Sequence, residues 1–301
     1  MTNKLFCFGL GFSARLVADQ LREEGWKIAG TTRTAEKAKQ LAADGIEPFI
    51  FSDDQPISDI KAALDGVTHV LISAPPGGLG DPVIHHHGGD LAILPEGTWI
   101  GYLSTTGVYG DRQGADVTED DELLPSGKRG RRRVAAEKAW FDLGRRHGLC
   151  VQSLRLAGIY GPGRNALETV RSGRARRIVK PGQVFSRIHV EDIAQTVLAS
   201  IKQPNCGAAY NVCDDDAAPP QDVIAHACGL LGIDPPPEQD FDSATLSPMA
   251  ASFYDDNKRV SNTRIKEELG VKLRYPDYRA GLMALYDEIL AKLEAKDEIV
   301  E

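Results

Sequence analysis

Six residues near the start of the chain, Gly9-Leu10-Gly11-Phe12-Ser13-Ala14, have the types and spacing to hold a phosphate. Gly9 permits a tight turn and Gly11 lets backbone approach a pyrophosphate. Ala14, at a third-glycine place, is small enough for a helix to pack on a strand. Phe12 and Ser13 stand at the mouth of that helix, whose free N–H groups attract anions. The flanking elements are present: an apolar run, Leu5–Phe8, then Ala14, Val17, Ala18 and Leu21 at helical spacing. Alone, such a turn also joins strands to helices that bind nothing. About twenty residues further on, an NAD site carries a carboxylate for the ribose 2′-hydroxyl. Here the chain has Gly30-Thr31-Thr32-Arg33. Nothing in it repels a 2′-phosphate, and Thr32 and Arg33 are suited to bind one. The pattern predicts NADP ahead of NAD; the alternative for Arg33 is a solvated residue opening the next helix.

Other constellations are less specific. Ser52 and Asp53 follow a strand and either reach an adenine or cap a helix. The loop from Ser73 through Ala74 and Pro75 to Gly78 has small residues against which a cofactor can lie. His85-His86-His87 are adjacent, and consecutive helical residues point about 100° apart, so no metal is expected there. Arg164, Arg171, Arg174, Arg176, Arg177, Lys180 and Arg187 crowd one region of a chain whose formal charge is −8. They form either a lip for an anionic substrate or a solvated basic helix and hairpin.

The elements that must position these residues follow from hydrophobic periodicity. Strands are expected at 26–31, 47–51, 68–73, 98–103 and 151–156, with helices at 35–43 and 82–94 between them. This alternation predicts an α/β fold, a doubly wound parallel sheet. Later helices are expected at 191–201, 221–231, 261–269 and 277–293, with an irregular stretch at 247–259 and a frayed end at 296–301. At 301 residues the chain can bury one large core with a smaller lobe. Its acidic balance argues against a nucleic-acid partner. No apolar run reaches the ~20 residues that span a bilayer, and the N-terminus does not read as a signal peptide. Five scattered cysteines without a CxxC predict free thiols and a reducing, cytoplasmic compartment.

Motifs further along share one source. Leu103-Ser104-Thr105-Thr106-Gly107-Val108-Tyr109-Gly110 resembles the S-S-x-x-V-Y-G signature of the extended short-chain dehydrogenase/reductase superfamily of epimerases and dehydratases. Leu154-Arg155 through Tyr160-Gly161-Pro162-Gly163-Arg164 resembles its L-R-x-x-x-x-Y-G-P-G-R. Arg187-Ile188-His189-Val190-Glu191-Asp192-Ile193-Ala194 is similar to its R-x-x-H-V-x-D-x-A, and Tyr210-Asn211-Val212 to its Y-N-V strand. The motifs run in the family's order over nearly the whole chain, and R-x-R-x-x-A-A-E resembles an atypical branch. The resemblance implies a Rossmann domain of residues 1–160 with 186–213. A smaller C-terminal substrate-binding lobe would comprise 161–185 with 214–301.

The resemblance also implies roles. Thr105 takes the family's Ser/Thr place, orienting a substrate oxygen beside the nicotinamide. Ser73, Ser104 and Ala157 would line the cofactor; Thr106, Arg164, Arg187 and His189 would face the substrate. The family's Y-x-x-x-K places fall on Arg129 and Arg133. An arginine stays protonated, with a pKa above about 12, and so cannot be the base. Arg133 can still bond the nicotinamide ribose, and Arg129 can polarise an oxygen or grip an anion. Proton transfer would fall to Tyr160, Tyr109, His189 or a relayed water. The implied activity is an NAD(P)-dependent oxidoreductase or epimerase acting on a hydroxyl or carbonyl of an anionic small molecule or sugar nucleotide. A non-catalytic NADP-binding sensor or scaffold is the alternative, as monomer or as homodimer through helices at 82–94 and 132–146.

Overall fold

Strand β1 (Lys4–Phe8) buries every residue, and its alternation sends Leu5 and Cys7 to one side and Phe6 and Phe8 to the other. A strand covered on both faces belongs inside a parallel sheet. The computed structural model describes residues 2–297, and β1 lies near the middle of its seven-stranded sheet. The other strands are β2 (Lys27–Thr32), β3 (Glu47–Ile50), β4 (His69–Ile72), β5 (Trp99–Thr105), β6 (Cys150–Leu156) and β7 (Ala209–Val212). All pair in parallel, in the order β7-β6-β5-β4-β1-β2-β3. The expected doubly wound, Rossmann-like architecture is therefore present.

Helices α1 (Phe12–Glu23) and α5 (Val190–Lys202) cover one face, and α3 (Pro82–Leu91) and α4 (Lys128–His147) cover the other. Helix α2 (Ala35–Ala43) links β2 to β3. Strand order reverses between β1 and β4, so the loops leaving these two strands part and open a crevice above their carboxyl ends. The register brings the relevant ends level. Cys7 pairs with Gly30 and Leu71, Thr105 pairs with Leu156, and Leu156 pairs with Val212.

A second apolar cluster forms beyond the sheet from Leu167, Val170, Val223 and Cys228, with Tyr278, Leu282 and Leu285. It is built by α6 (Pro220–Leu230) and the start of α7 (Tyr278–Asp297). The packing moves two of the expected lobe boundaries. Ile265, Leu269 and Val271 join the sheet's core, whereas Tyr160 joins the lobe's. The stretch expected to be irregular holds a short helix, Pro248–Ala251, and its end enters a two-residue strand, Arg259–Val260, beside Asp116–Val117. The frayed end lies outside the described residues from 298 onward. Among the described residues no helix is long and apolar enough to cross a membrane.

The expectation of five free thiols is overturned. Cys150 and Cys206 form a disulfide with Cα atoms 4.6 Å apart. Cys150 opens β6, and Cys206 lies in the turn feeding the adjacent β7, where Gly207 N donates to Val151 O at 2.7 Å. Cys7, Cys213 and Cys228 stay free and buried. The cysteine argument for a reducing compartment therefore loses its footing. Closing a loop of 56 residues restricts the unfolded chain, and reduction should cost about 2–4 kcal/mol of stability. Urea melts with and without reductant should show that gap, and Cys206→Ser should match the reduced protein; coincident curves would contradict it.

Candidate active site

The crevice at the switch point is shaped by the glycine turn. Gly9 has φ +89°, and a Cβ there would come within 3.2 Å of Ala74 N. Glycine thus lets the turn after β1 touch the Ser73–Ala74–Pro75 loop after β4. Thr31, at the end of β2, holds the turn from below: its Oγ1 accepts from Gly9 N at 2.8 Å and its carbonyl from Leu10 N at 3.3 Å. Its hydroxyl is thereby engaged, which leaves Thr32 and Arg33 as the residues available to a ribose phosphate. The first intrahelical bond of α1 runs from Arg15 N to Gly11 O, and no side chain caps the helix. The N–H groups of Phe12 and Ser13 are therefore free at its mouth. A Cβ on Gly11 would meet nothing, so the space above the turn is open, while Ala14 is buried beneath. Uncapped donors, an open approach and a close glycine contact together fit a diphosphate.

Thr32 is half-buried beyond this turn, and Arg33 is exposed with no ionic or hydrogen-bond partner among the described residues. Ser52 Oγ donates to Asp54 at 2.6 Å. Asp53 lies over the small-residue loop, its Oδ2 only 2.7 Å from where a Gly77 Cβ would stand. Asp53, Gly77, Gly78 and His85 line one small cavity. The three histidines diverge into separate contacts. His87 is buried, its Nε2 accepting from Ile57 N at 3.0 Å and its Nδ1 lying 3.1 Å from Asp90, while His86 meets Asp53 O at 2.9 Å.

On the other side, β5 ends at Thr105, whose Oγ1 accepts from Gly107 N at 3.2 Å and caps the tight turn Thr106–Tyr109. Thr105 and Thr106 are half-buried, and Ser104 is buried with its Oγ unpartnered. Helix α4 closes on this turn through Gly130, where a Cβ would stand 2.7 Å from Gly107 O. Arg129, the residue before Gly130, is exposed and without a partner among the described residues. Arg133 is anchored lower down. It donates to Leu103 O and, at 3.4 Å, to Tyr102 OH, with the Tyr102 ring 5.6 Å away. A guanidinium has five donors, so this anchoring leaves others for a ligand.

Four of the sequence motifs meet in one buried network. Glu137 on α4 takes charge-assisted hydrogen bonds from Arg155 on β6 and a 2.7 Å bond from Ser153. Arg155 also donates to Tyr109 OH at 2.8 Å, and Tyr109 donates to Asn211 at 2.6 Å on β7. The network joins α4, β6 and β7 to the turn that Thr105 caps. Burial drives the Tyr109 hydroxyl up to about 12. Tyr109 is a positioning residue.

A family model described as the NAD dependent epimerase/dehydratase family matches residues 97–213, the stretch that holds this network and the turn that Thr105 caps. That stretch of the chain matches the family. It is 50% identical to a functionally unknown conserved protein from Silicibacter pomeroyi, with 95% of this chain and 99% of that one covered and a TM-score of 0.87. Protein YeeZ of Escherichia coli is 28% identical over 91% of this chain and 97% of its own. A UDP-glucuronic acid 4-epimerase from Bacillus cereus, solved with UDP-glucuronic acid and NAD, shares the fold. Its TM-score is 0.77 at 17% identity, covering 96% of this chain and 99% of its own.

Several residues expected to act in the site are held by packing or hydrogen bonds within the protein. Tyr160 packs in the lobe core, edge-on to His189 at 5.1 Å and so close to α7 that a Cβ at Gly281 would stand 2.1 Å from its hydroxyl. Burial raises its pKa further. His189, expected to face the substrate, is buried between Tyr160 and Tyr275. Its Nδ1 accepts from Glu191 N at the start of α5, and burial lowers its pKa to about 4. Asp192 beside it accepts from Arg274 N and Tyr275 N, tying that segment to α5. Arg187 is pinned to Phe185 O at 2.7 Å and Ala218 O at 3.0 Å. Ala157 is buried, its N–H bonded to Val212 O.

Much of the supposed basic lip is internal stitching. Arg176 grips Gln239 and Thr245 O, Arg177 grips Glu238, and Lys180 grips Tyr254 O. These bonds fasten the segment 236–254 across the lobe, where Glu238–Asp240 pairs with Arg177–Val179. Arg171 pairs with Glu168, and Arg174 bonds Ser172.

One residue that sequence reasoning passed over is Asp214, the first of three aspartates after β7. It is buried near Arg187, its Oδ2 has no partner, and desolvation pushes its carboxyl up from 3.8 to about 8. An acidic run at the carboxyl end of a parallel strand was the available signal. Because the folded value lies above the unfolded one, stability is fullest below about pH 4 and is lost as pH rises toward about 8. Asp214→Asn should therefore gain on the wild type between about pH 5 and about pH 9 in urea melts; parallel profiles would contradict the assignment.

Proposed function

We propose that this chain binds NADP across the crevice between the glycine turn and the Ser73–Pro75 loop. There it acts as an oxidoreductase or epimerase on a hydroxyl or carbonyl carbon of an anionic small molecule, with a sugar nucleotide as the favoured class. The observation that carries the reading is Arg33: an exposed, unpartnered guanidinium beyond β2, where an NAD site would hold a carboxylate. Thr32 stands beside it, and the N–H groups of Phe12 and Ser13 take the diphosphate. Ser52 and Asp53 take the adenosine end. NAD, which the Bacillus cereus epimerase was solved with, remains the alternative cofactor.

The bound nicotinamide supplies hydride exchange. The chain's own residues orient the substrate oxygen. Thr105 presents its hydroxyl to that oxygen from the end of β5, and Arg129 stabilises negative charge on it from the first turn of α4. A guanidinium is not a general base, so the proton passes through water at the open crevice. UDP-glucuronic acid in the Bacillus cereus structure supports an anionic sugar nucleotide as the class to try first.

The second reading is a dinucleotide-binding sensor, favoured by the burial of Tyr109, Tyr160 and His189 within the protein. Assays of NADPH oxidation over a panel of carbonyl compounds and sugar nucleotides separate the two. The enzyme reading expects turnover that falls about a hundredfold in Thr105→Ala. Tight cofactor binding with no turnover in any case would favour the sensor.

A further inference from the structure

Arg164 stands apart from the other cations of its stretch. Arg171, Arg174, Arg176, Arg177, Lys180 and Arg187 each have a partner in the protein. Arg164 is exposed and, among the described residues, its side chain has no hydrogen bond or ion pair; its guanidinium instead lies 5.9 Å over the ring of Phe12. Phe12 is the first residue of α1, so the guanidinium sits against a side chain at the very start of that helix, whose first N–H groups are uncapped.

The placement is held firmly. Gly161 and Arg164 exchange backbone hydrogen bonds at 3.0 Å each, and Asn165 Nδ2 donates to Gly161 O at 2.9 Å. A Cβ at Gly161 would stand 3.2 Å from Phe12 Cζ and 2.6 Å from Val190 Cγ1, so glycine alone lets the turn press this close. Gly163 has φ +72°, which reverses the chain and returns Arg164 toward α1.

We infer that Arg164 closes over the diphosphate of the bound dinucleotide, completing from the lobe side the anion site that α1 opens. The sequence reading had set this arginine against the substrate. Its seat on Phe12 puts it on the cofactor instead, where a planar guanidinium can take two phosphate oxygens at once. The inference rests on the dinucleotide reading above and adds a residue to it. A sugar nucleotide also carries a diphosphate, so the test is run with cofactor alone.

NADPH and adenosine 2′-monophosphate, which lacks the diphosphate, are each titrated into the full chain as wild type, Arg164→Ala and Arg164→Lys. Arg164→Ala should weaken NADPH about tenfold or more and leave the monophosphate within about twofold. Arg164→Lys, which keeps charge but loses the fork, should fall between. Equal NADPH affinity in wild type and Arg164→Ala overturns the inference, as does an equal loss for both ligands. A wild type that binds adenosine 2′-monophosphate but gains nothing from the diphosphate overturns it too. A wild type that binds neither ligand instead removes the dinucleotide reading beneath it.

Discussion

Glu137→Ala is expected to lower folding stability by about 3–5 kcal/mol, the usual result of leaving one member of a buried ion pair alone. Glu137 and Arg155 are both almost wholly buried, and Arg155 has no other carboxylate among its hydrogen-bond partners. Removing Glu137 strands a guanidinium among β5, β6 and α4 and leaves Ser153 Oγ without its acceptor. The damage should pass to the reacting edge, because Arg155 also bonds Tyr109 in the turn that Thr105 caps. A shift of the urea midpoint measures the loss. A variant within about 1 kcal/mol of the wild type would show that the network does not carry the stability assigned to it.

Arg33→Ala is expected to weaken NADP binding about 10- to 100-fold, the range for losing charge-assisted hydrogen bonds to a phosphate. NAD, which has only a hydroxyl at that ribose position, should change by less than about threefold. The argument is local: Thr31 is engaged with Gly9 N, so Arg33 and Thr32 are what remain at the end of β2. Calorimetric titration of both cofactors into wild type and variant gives the comparison. Equal losses for the two would remove the preference for NADP.

How much was legible in the chain follows from the range of the forces involved. The glycine turn and the alternating strands are local patterns, and both lie where their periodicity puts them, with ends shifted by one to three residues. Helix α3, expected to reach residue 94, stops at Leu91, and β5 runs on to Thr105. Long-range pairing was not legible. Cys150 and Cys206 are 56 residues apart and meet only because β6 and β7 are neighbours.

The polar residues divide in the same way. Arg176, Arg177 and Lys180 look like a substrate lip until the segment 236–254 folds back and supplies their partners. Tyr109, Glu137, Arg155 and Asn211 come from four separate motifs, and only the sheet order brings them together. Residue type alone gave Tyr160 and His189 a chemical role; burial against α7 and Tyr275 withdraws it. Arg33, Arg129 and Arg164 are exposed, and among the described residues their side chains have no hydrogen bond or ion pair.

The central claim is that the crevice above β1 and β4 holds NADP. Titrating the purified wild-type chain with NADPH and with NADH, followed by the fluorescence of the reduced nicotinamide, tests it most directly. The expected result is saturable binding of NADPH, with NADH weaker by about tenfold or more. No saturable binding of either cofactor, or tighter binding of NADH, would contradict the account.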